Sequence, residues 1–316
     1  MTPVAPRTQR PGPETGTRPV RPRVSGWRRR DRRWGLVFIG PQLFGMVAFV
    51  LLPLVAAMVL AFAETDGLRS FSWVGLTNFG DQLTDPLLWR AVLNTLGIAA
   101  ITVPIGLSIA MVLATVLNRI RGRTVYLILI FAPGVTSLVA VSMIWQQLLR
   151  SNGILSSGID LVPFLGRPDW LGDPRLVLIS VSMVVVWSSL GLNVLLFLAG
   201  LQNIPPAVLE AARVDGAGPV RTFLRVIVPL QTPTLFFMTV VSVISSLQTF
   251  DIVFILTHEG GPDNASRTIV YHIYDLAFRR FEFGASSAAA LLLLVLTLLI
   301  TLAQFGLQRR LVHYES

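Results

Sequence analysis

Six long apolar runs decide what this chain can fold into: Trp34 to Ala63, Ala91 to Leu117, Thr124 to Leu149, Leu176 to Leu201, Thr232 to Leu256 and Ala285 to Gln308. Asp251 is the one charged residue inside any of them. About 20 helical residues cross a hydrocarbon core of about 30 Å, and each run exceeds that. Membrane strands would instead read as alternating segments of about 10 residues, so helix is the expected state. The fold class is therefore an all-α integral membrane protein with six transmembrane helices. Composition agrees: 14% of the 316 residues are charged, against about a quarter in a soluble domain. Pro41, Pro53, Pro104 and Pro133 lie inside runs, where they are expected to kink the helices rather than break them.

The net charge of +9 belongs mostly to one end, because residues 1–33 hold ten Arg against Glu14 and Asp31. With six prolines and no apolar periodicity, that segment has the composition of a disordered basic cytoplasmic tail. Arg28, Arg29, Arg30, Arg32 and Arg33 stand directly before the first run, which points to membrane lipid as their partner and not to nucleic acid. Length favours an uncleaved first helix over a cleaved signal peptide, whose apolar region is about 7 to 15 residues, since this run has 30. With the N-terminus inside, cytoplasmic segments carry 18 Arg and outer ones 8, so both termini are expected in the cytoplasm. The chain has no Cys, which removes disulfides and thiolate metal sites together.

Two outer segments, Glu64 to Arg90 and Arg150 to Arg175, are too long for simple turns. Their Phe71-Ser72-Trp73 and Pro168-Asp169-Trp170 stretches fit either interfacial loops or a docking surface for an external partner. Between the fourth and fifth runs lies Ile204 to Pro229. Pro206 suits a first helical turn, Ala207 to Val214 are mostly helix formers, and Gly216 to Gly218 interrupt before Pro219 begins again. Two short helices joined by a glycine turn are expected, with Arg221 and Arg225 on one face of the second. No His or Ser stands at catalytic spacing from Glu210 or Asp215, so the segment looks built to be gripped rather than to react.

Glu210-Ala211-Ala212, then Gly216, then Val226-Ile227-Val228-Pro229 resembles the EAA motif of binding-protein-dependent ABC importer permeases. Val226 and Val228 replace the family's Ile and Leu. The form Glu210-Ala-Ala-x-x-Asp215-Gly216-Ala217 is similar to that of carbohydrate permeases of the maltose and glycerol-phosphate type. So are Trp73 to Phe79 with Asp85 to Thr95, and Phe250 to Thr257 with Gly260-Gly261-Pro262 and Phe283-Gly284. The resemblance spans about residues 34–310, the expected permease domain. It implies the fold of the type I importer permeases, with 204–229 as a coupling helix that docks on a cytoplasmic ATPase dimer. Glu210, Ala211, Ala212, Arg213, Asp215, Gly216 and Ala217 would form that contact, with Glu210 meeting a cation. The implied partners are a second permease in a heterodimer, two ATP-binding subunits and an external solute-binding protein or lipoprotein, in a bacterial cytoplasmic membrane. ATP and Mg would be bound by the ATPase, since a chain without Lys has no phosphate-loop Lys. No cofactor, metal or catalytic residue is expected in the chain itself, which is read as a transport subunit and not an enzyme.

Polar residues inside the runs mark a possible pathway: Asn94, Gln146, Gln147, Ser188, Ser189, Asn193, Gln248 and Asp251. Trp145 and Trp187 are candidates to stack on a sugar. Trp187, Asn193, Gln248 and Asp251 are the preferred solute-lining set, with helix-to-helix hydrogen bonding open for each and a gate or helix-end role open for Asp251. The expected cargo is a mono- or oligosaccharide, or a polyol phosphate such as glycerol 3-phosphate. An ion-coupled secondary carrier is the alternative, although one Asp and no intramembrane His give it little to work with. His258, His272 and His313 fall outside the runs without metal-ligand spacing.

Overall fold

The computed structural model describes residues 27–67, 70–159 and 168–311. Most of the basic tail, and His313, lie outside them. Two compact units divide at Val55–Ala56, and each is described by itself. The first holds α1, Trp27–Met46, which begins seven residues before the apolar run and therefore takes in the last of the tail. A π turn, Val47–Leu51, leads into α2, Leu52–Leu60. Pro53 accounts for that turn, since its ring crowds the carbonyl four residues back and one wider turn relieves the clash. The same pairing recurs at the π turn Phe223–Ile227 ahead of Pro229.

The second unit takes in the end of α2 from Ala56 and continues in two short antiparallel strands, β1 Ala63–Thr65 and β2 Phe71–Trp73, paired Ala63 to Trp73. Then follow α3, Thr77–Thr84, and α4, Pro86–Leu117, whose first turn is capped by the Asp85 carboxylate accepting from Leu87 N–H at 2.7 Å. At 1.5 Å per residue the 32 residues of α4 extend about 48 Å. After α5, Arg123–Val135, α6, Leu138–Leu149, and α7, Ile154–Ile159, comes α8, Val177–Gln202. α4 and α8 form the central pair. Ile98 of α4 clusters with Val181 and Val184 of α8, and Leu107 to Leu117 cluster with Val194 to Leu201, so the two run in the same direction. Gly191 lets α5 cross α8 at backbone distance, since a Cβ there would sit 2.5 Å from Phe131 Cα.

Where one kinked helix was expected over Thr124 to Leu149, the structure has two meeting at 97°. Pro133 removes a ladder donor, Thr136 Oγ1 takes the Ala132 carbonyl at 2.8 Å, and Thr136 itself is extended. The fifth run also divides. α12, Thr232–Leu247, stops at Gln248, and α13, Asp251–Leu256, begins after Phe250 at φ −133°, ψ −60°. Among the described residues four helices are long and apolar enough to cross a membrane: Val37–Leu60, Pro86–Leu117, Val177–Gln202 and Phe283–Gln308. Two bent pairs bring the number to six if each is one span. The end bearing Leu88, Ala91 and Ile269 is opposite the end bearing Leu117, Ile204 and Ile227.

Candidate coupling and translocation sites

At the Leu117 end stands the expected helix-turn-helix. α9, Pro206–Val214, begins with Pro at its first position and ends on Asp215. Ala217 N–H donates to Ala212 O at 2.9 Å and Gly216 N–H to Arg213 O at 3.0 Å, the paired bonds of a Schellman C-cap. That cap needs a left-handed residue, and Gly216 supplies φ +74°. α10, Pro219–Thr222, is tied to the turn by Thr222 Oγ1 donating to Gly218 O at 3.1 Å. After the π turn, α11, Val228–Leu230, leads into α12.

Anchoring and exposure divide this segment cleanly. Ala212 is buried, Ile204 and Ile227 join the core at its two ends, and Leu209 and Phe223 pack against it. Glu210, Ala211, Arg213, Asp215 and Gly216 are exposed, and Ala217 is half-buried. Val214 is 88% exposed and Val220 69%. Among the described residues Glu210 has no ion-pair or side-chain hydrogen-bond partner in the chain. This arm therefore presents the Glu210 and Asp215 carboxylates and Arg213 beside small and apolar side chains on its exposed face.

The two helix breaks converge on a second site. A cleft of about 250 Å³ is lined by Leu138 at the start of α6, Ser188 and Ser189 of α8, and Ser245, Gln248, Phe250 and Asp251 around the α12–α13 break. Non-helical backbone at membrane depth is tolerated where it lines a cavity, and Thr268 Oγ1 satisfies the freed Thr249 carbonyl at 2.9 Å. Ser188 and Ser189 donate to Val185 O at 3.0 and 2.9 Å, which leaves their oxygens free to accept. Of the preferred set, Gln248 and Asp251 meet here, while Trp187 and Asn193 do not line the cleft. Trp187 packs edge-to-face with Trp145 at 5.4 Å, and Asn193 is half-buried one turn and a half further along α8. Asn94 and Gln146 bond across elements instead: Asn94 Nδ2 donates to Asn264 O and Arg267 O, and Gln146 Nε2 to Ile255 O at 2.7 Å.

A third constellation, at the Leu88 end, escapes sequence reading. It surrounds α14, Ile269–Tyr274, ahead of α15, Phe283–Leu311. Buried Arg267 pairs with Asp275 at 2.7 Å, and its Nη2 and Nε donate to His272 Nδ1 at 3.1 and 3.3 Å. The proton of His272 is therefore on Nε2, facing Gln82 Oε1 of α3 at 2.9 Å. Burial, then the charge of Arg267, push the imidazole down to about 4. Burial opposes the Asp275 carboxylate, but Arg267, then Arg280 and Arg279, hold it below its ordinary value. This is a fully bonded clamp between α3 and α14. A neighbouring cavity of about 440 Å³ is lined by Gln146, Phe254, His258, Glu259, Tyr274 and Arg279 among others. There Arg279 pairs with Glu259 at 2.6 Å.

The profile of the family described as binding-protein-dependent transport system inner membrane component matches residues 102–313. The probable ABC transporter permease protein YesP of Bacillus subtilis is 34% identical over 292 residues, 91% of this chain and 94% of that one. The lactose transport system permease protein LacF of Rhizobium radiobacter is 31% identical, covering 84% and 91%. The sn-glycerol-3-phosphate transport system permease protein UgpA of Brucella abortus is 33% identical, covering 88% and 95%. A crystal structure of a bacterial ABC transporter that imports the acidic polysaccharide alginate superposes with a TM-score of 0.79 over 91% of this chain and 99% of that one, at 23% identity, which shows the same fold. The apolar helices, the helix-turn-helix and these matches together make the chain a membrane-spanning permease of an ABC importer, a member of the binding-protein-dependent transport system inner membrane component family.

Proposed function

We propose that this chain is one half of a heterodimeric pore that moves a saccharide or polyol phosphate into a bacterial cell by alternating access. The relatives named for lactose and glycerol-3-phosphate transport support that range of cargo. The observation that carries the coupling is α9: a capped helix, anchored at Ala212, Ile204 and Ile227, that exposes Glu210 without a partner among the described residues. Glu210 pairs with a cation on a cytoplasmic ATPase dimer, Ala211 gives close approach, Arg213 and Asp215 flank the contact, and Gly216 with Ala217 fixes the bend. Two discrete arrangements of such a lever transmit nucleotide closure to the pore. In this orientation both termini and the Leu117 end are cytoplasmic, and the α3–α14 clamp faces a solute-binding protein outside. A crystal structure of a bacterial alginate ABC transporter in complex with an alginate pentasaccharide-bound periplasmic protein, of the same fold with a TM-score of 0.78 over 90% of this chain at 22% identity, supports an external partner of that kind. Gln248 and Asp251 line the solute's route, with Trp187 and Asn193 reaching it only in another state of the cycle.

Charge reversal tests the coupling. Glu210→Arg should abolish uptake and leave ATP hydrolysis uncoupled from solute, with the protein still inserted and assembled in the membrane. Uptake at the wild-type rate by that variant would remove Glu210 from the coupling contact.

A further inference from the structure

The cleft at the two helix breaks is chemically one-sided. Asp251 and Gln248 are exposed and line it, Ser188 and Ser189 line it with hydroxyl oxygens free to accept, and Phe250 supplies an apolar side chain. No Arg, Lys or His lines it among the described residues. Asp251 has no ion-pair or side-chain hydrogen-bond partner among the described residues, so its carboxylate is available as an acceptor.

Along the route from the Leu88 end, Arg267, Arg279 and Arg280 are each paired with a carboxylate, and between them they share two. Arg279 is held by Glu259 at 2.6 Å, and Asp275 takes Arg267 at 2.7 Å and Arg280 at 3.1 Å. A cavity of about 350 Å³ on the same end is lined by Glu64, Asp66, Asp81 and Glu282. On the proposed orientation the outer segments, 64–90, 150–175 and 257–284, carry eleven carboxylates against eight Arg. Such a field steers anions away from the mouth.

Resting on the importer reading above, we infer that the solute crossing this cleft is an uncharged saccharide, and that polyol phosphates and uronates are excluded by this chain. Hydroxyl groups donate to a carboxylate and to serine oxygens and accept from the Gln248 amide, so a neutral sugar satisfies every polar group in the cleft. The phosphate group of a polyol phosphate, or the carboxylate of a uronate, brings only acceptors. It meets the Gln248 amide and the Ser245 hydroxyl as donors, an unpaired carboxylate of its own sign and no cation among the lining residues. The hydrophobic face of a pyranose fits against Phe250, which stacks on Phe254 at 5.3 Å.

The test is uptake in cells lacking this chain, complemented with the wild type or a variant. The cells are supplied with one mixture of lactose, N,N′-diacetylchitobiose and a neutral plant-glycan hydrolysate, with sn-glycerol 3-phosphate and alginate oligomers added. Mass spectrometry of the washed cells identifies what accumulates. Dependence confined to uncharged saccharides is the expected result. Dependence of glycerol 3-phosphate or an alginate oligomer overturns the inference and leaves the importer reading standing, whereas no dependent solute overturns the importer reading itself. With the solute found, Asp251→Asn should raise its KM about tenfold while maximal uptake stays within twofold. An unmoved KM overturns the placement of the solute at this cleft.

Discussion

Acid should loosen the α3–α14 clamp through His272, and by an amount the structure sets. The side chain is fully buried, accepts from Arg267 and faces Gln82, and its pKa lies near 4 against an ordinary value of 6.5. Because the folded pKa is the lower one, the opened state binds the proton more readily. Stability is therefore unaffected above pH 6.5 and falls as the pH drops from 6.5 toward 4. Between pH 7.5 and pH 5 the loss is about 2 kcal/mol, since each pKa unit is about 1.4 kcal/mol and the opened state is almost fully protonated at pH 5. Asp275 does not add to it there, because its ordinary value of 3.8 and its lowered folded value both lie below pH 5. Hydrogen exchange at the His272 and Arg280 amides, bonded to Thr268 O and Asp275 O, reads the opening directly. After correction for intrinsic rates, exchange should be about 30-fold faster at pH 5, the factor that 2 kcal/mol corresponds to. His272→Gln, which cannot titrate, should flatten the dependence. The same acceleration in wild type and variant would refute the assignment to His272.

Three further outcomes follow from local geometry. Gly216→Ala should destabilise the coupling arm by about 1 to 2 kcal/mol, the cost of a left-handed non-glycine residue, whereas Gly218→Ala, at φ −65° and ψ 167°, should be near neutral; thermal melts and uptake of the pair separate the two. Asp275→Ala strands the buried Arg267 guanidinium and should cost about 3 to 5 kcal/mol, read as a lowered melting temperature at neutral pH. Gly191→Val, with Phe131 Cα 2.5 Å from where a Cβ would lie, should push α5 off α8 and lower assembled protein in the membrane; normal levels would show that this crossing yields easily.

What could be read from the sequence was what is written locally. Runs without charge announce helices, and Pro206, Gly216 and Pro219 punctuate a helix-turn-helix because each acts on its own backbone. The breaks were not legible. Gln248, Thr249 and Phe250 contain no Gly or Pro, and the exposed Thr249 carbonyl is satisfied by a hydroxyl 19 residues away. Pro133 was visible, but whether it kinks or breaks depends on Thr136 taking the Ala132 carbonyl and the chain turning there. His272 and Gln82 lie 190 residues apart, so no spacing rule finds their bond. Selecting polar residues in apolar runs chose Gln248 and Asp251, which line one cleft, and also Asn193, which does not line it, because hydropathy says nothing about which face of α8 meets the cleft.

The proposed coupling passes force from a nucleotide-binding partner to this chain through α9. Its most direct test is to solubilise the tagged protein from its native membrane in mild detergent, with wild type and Glu210→Arg in parallel, and to quantify co-purifying chains by mass spectrometry. A second permease and an ATPase in stoichiometric amounts with the wild type, and an ATPase that binds the variant more weakly, is the expected result. Recovery of the wild-type chain alone, under conditions that hold other membrane complexes together, would contradict it.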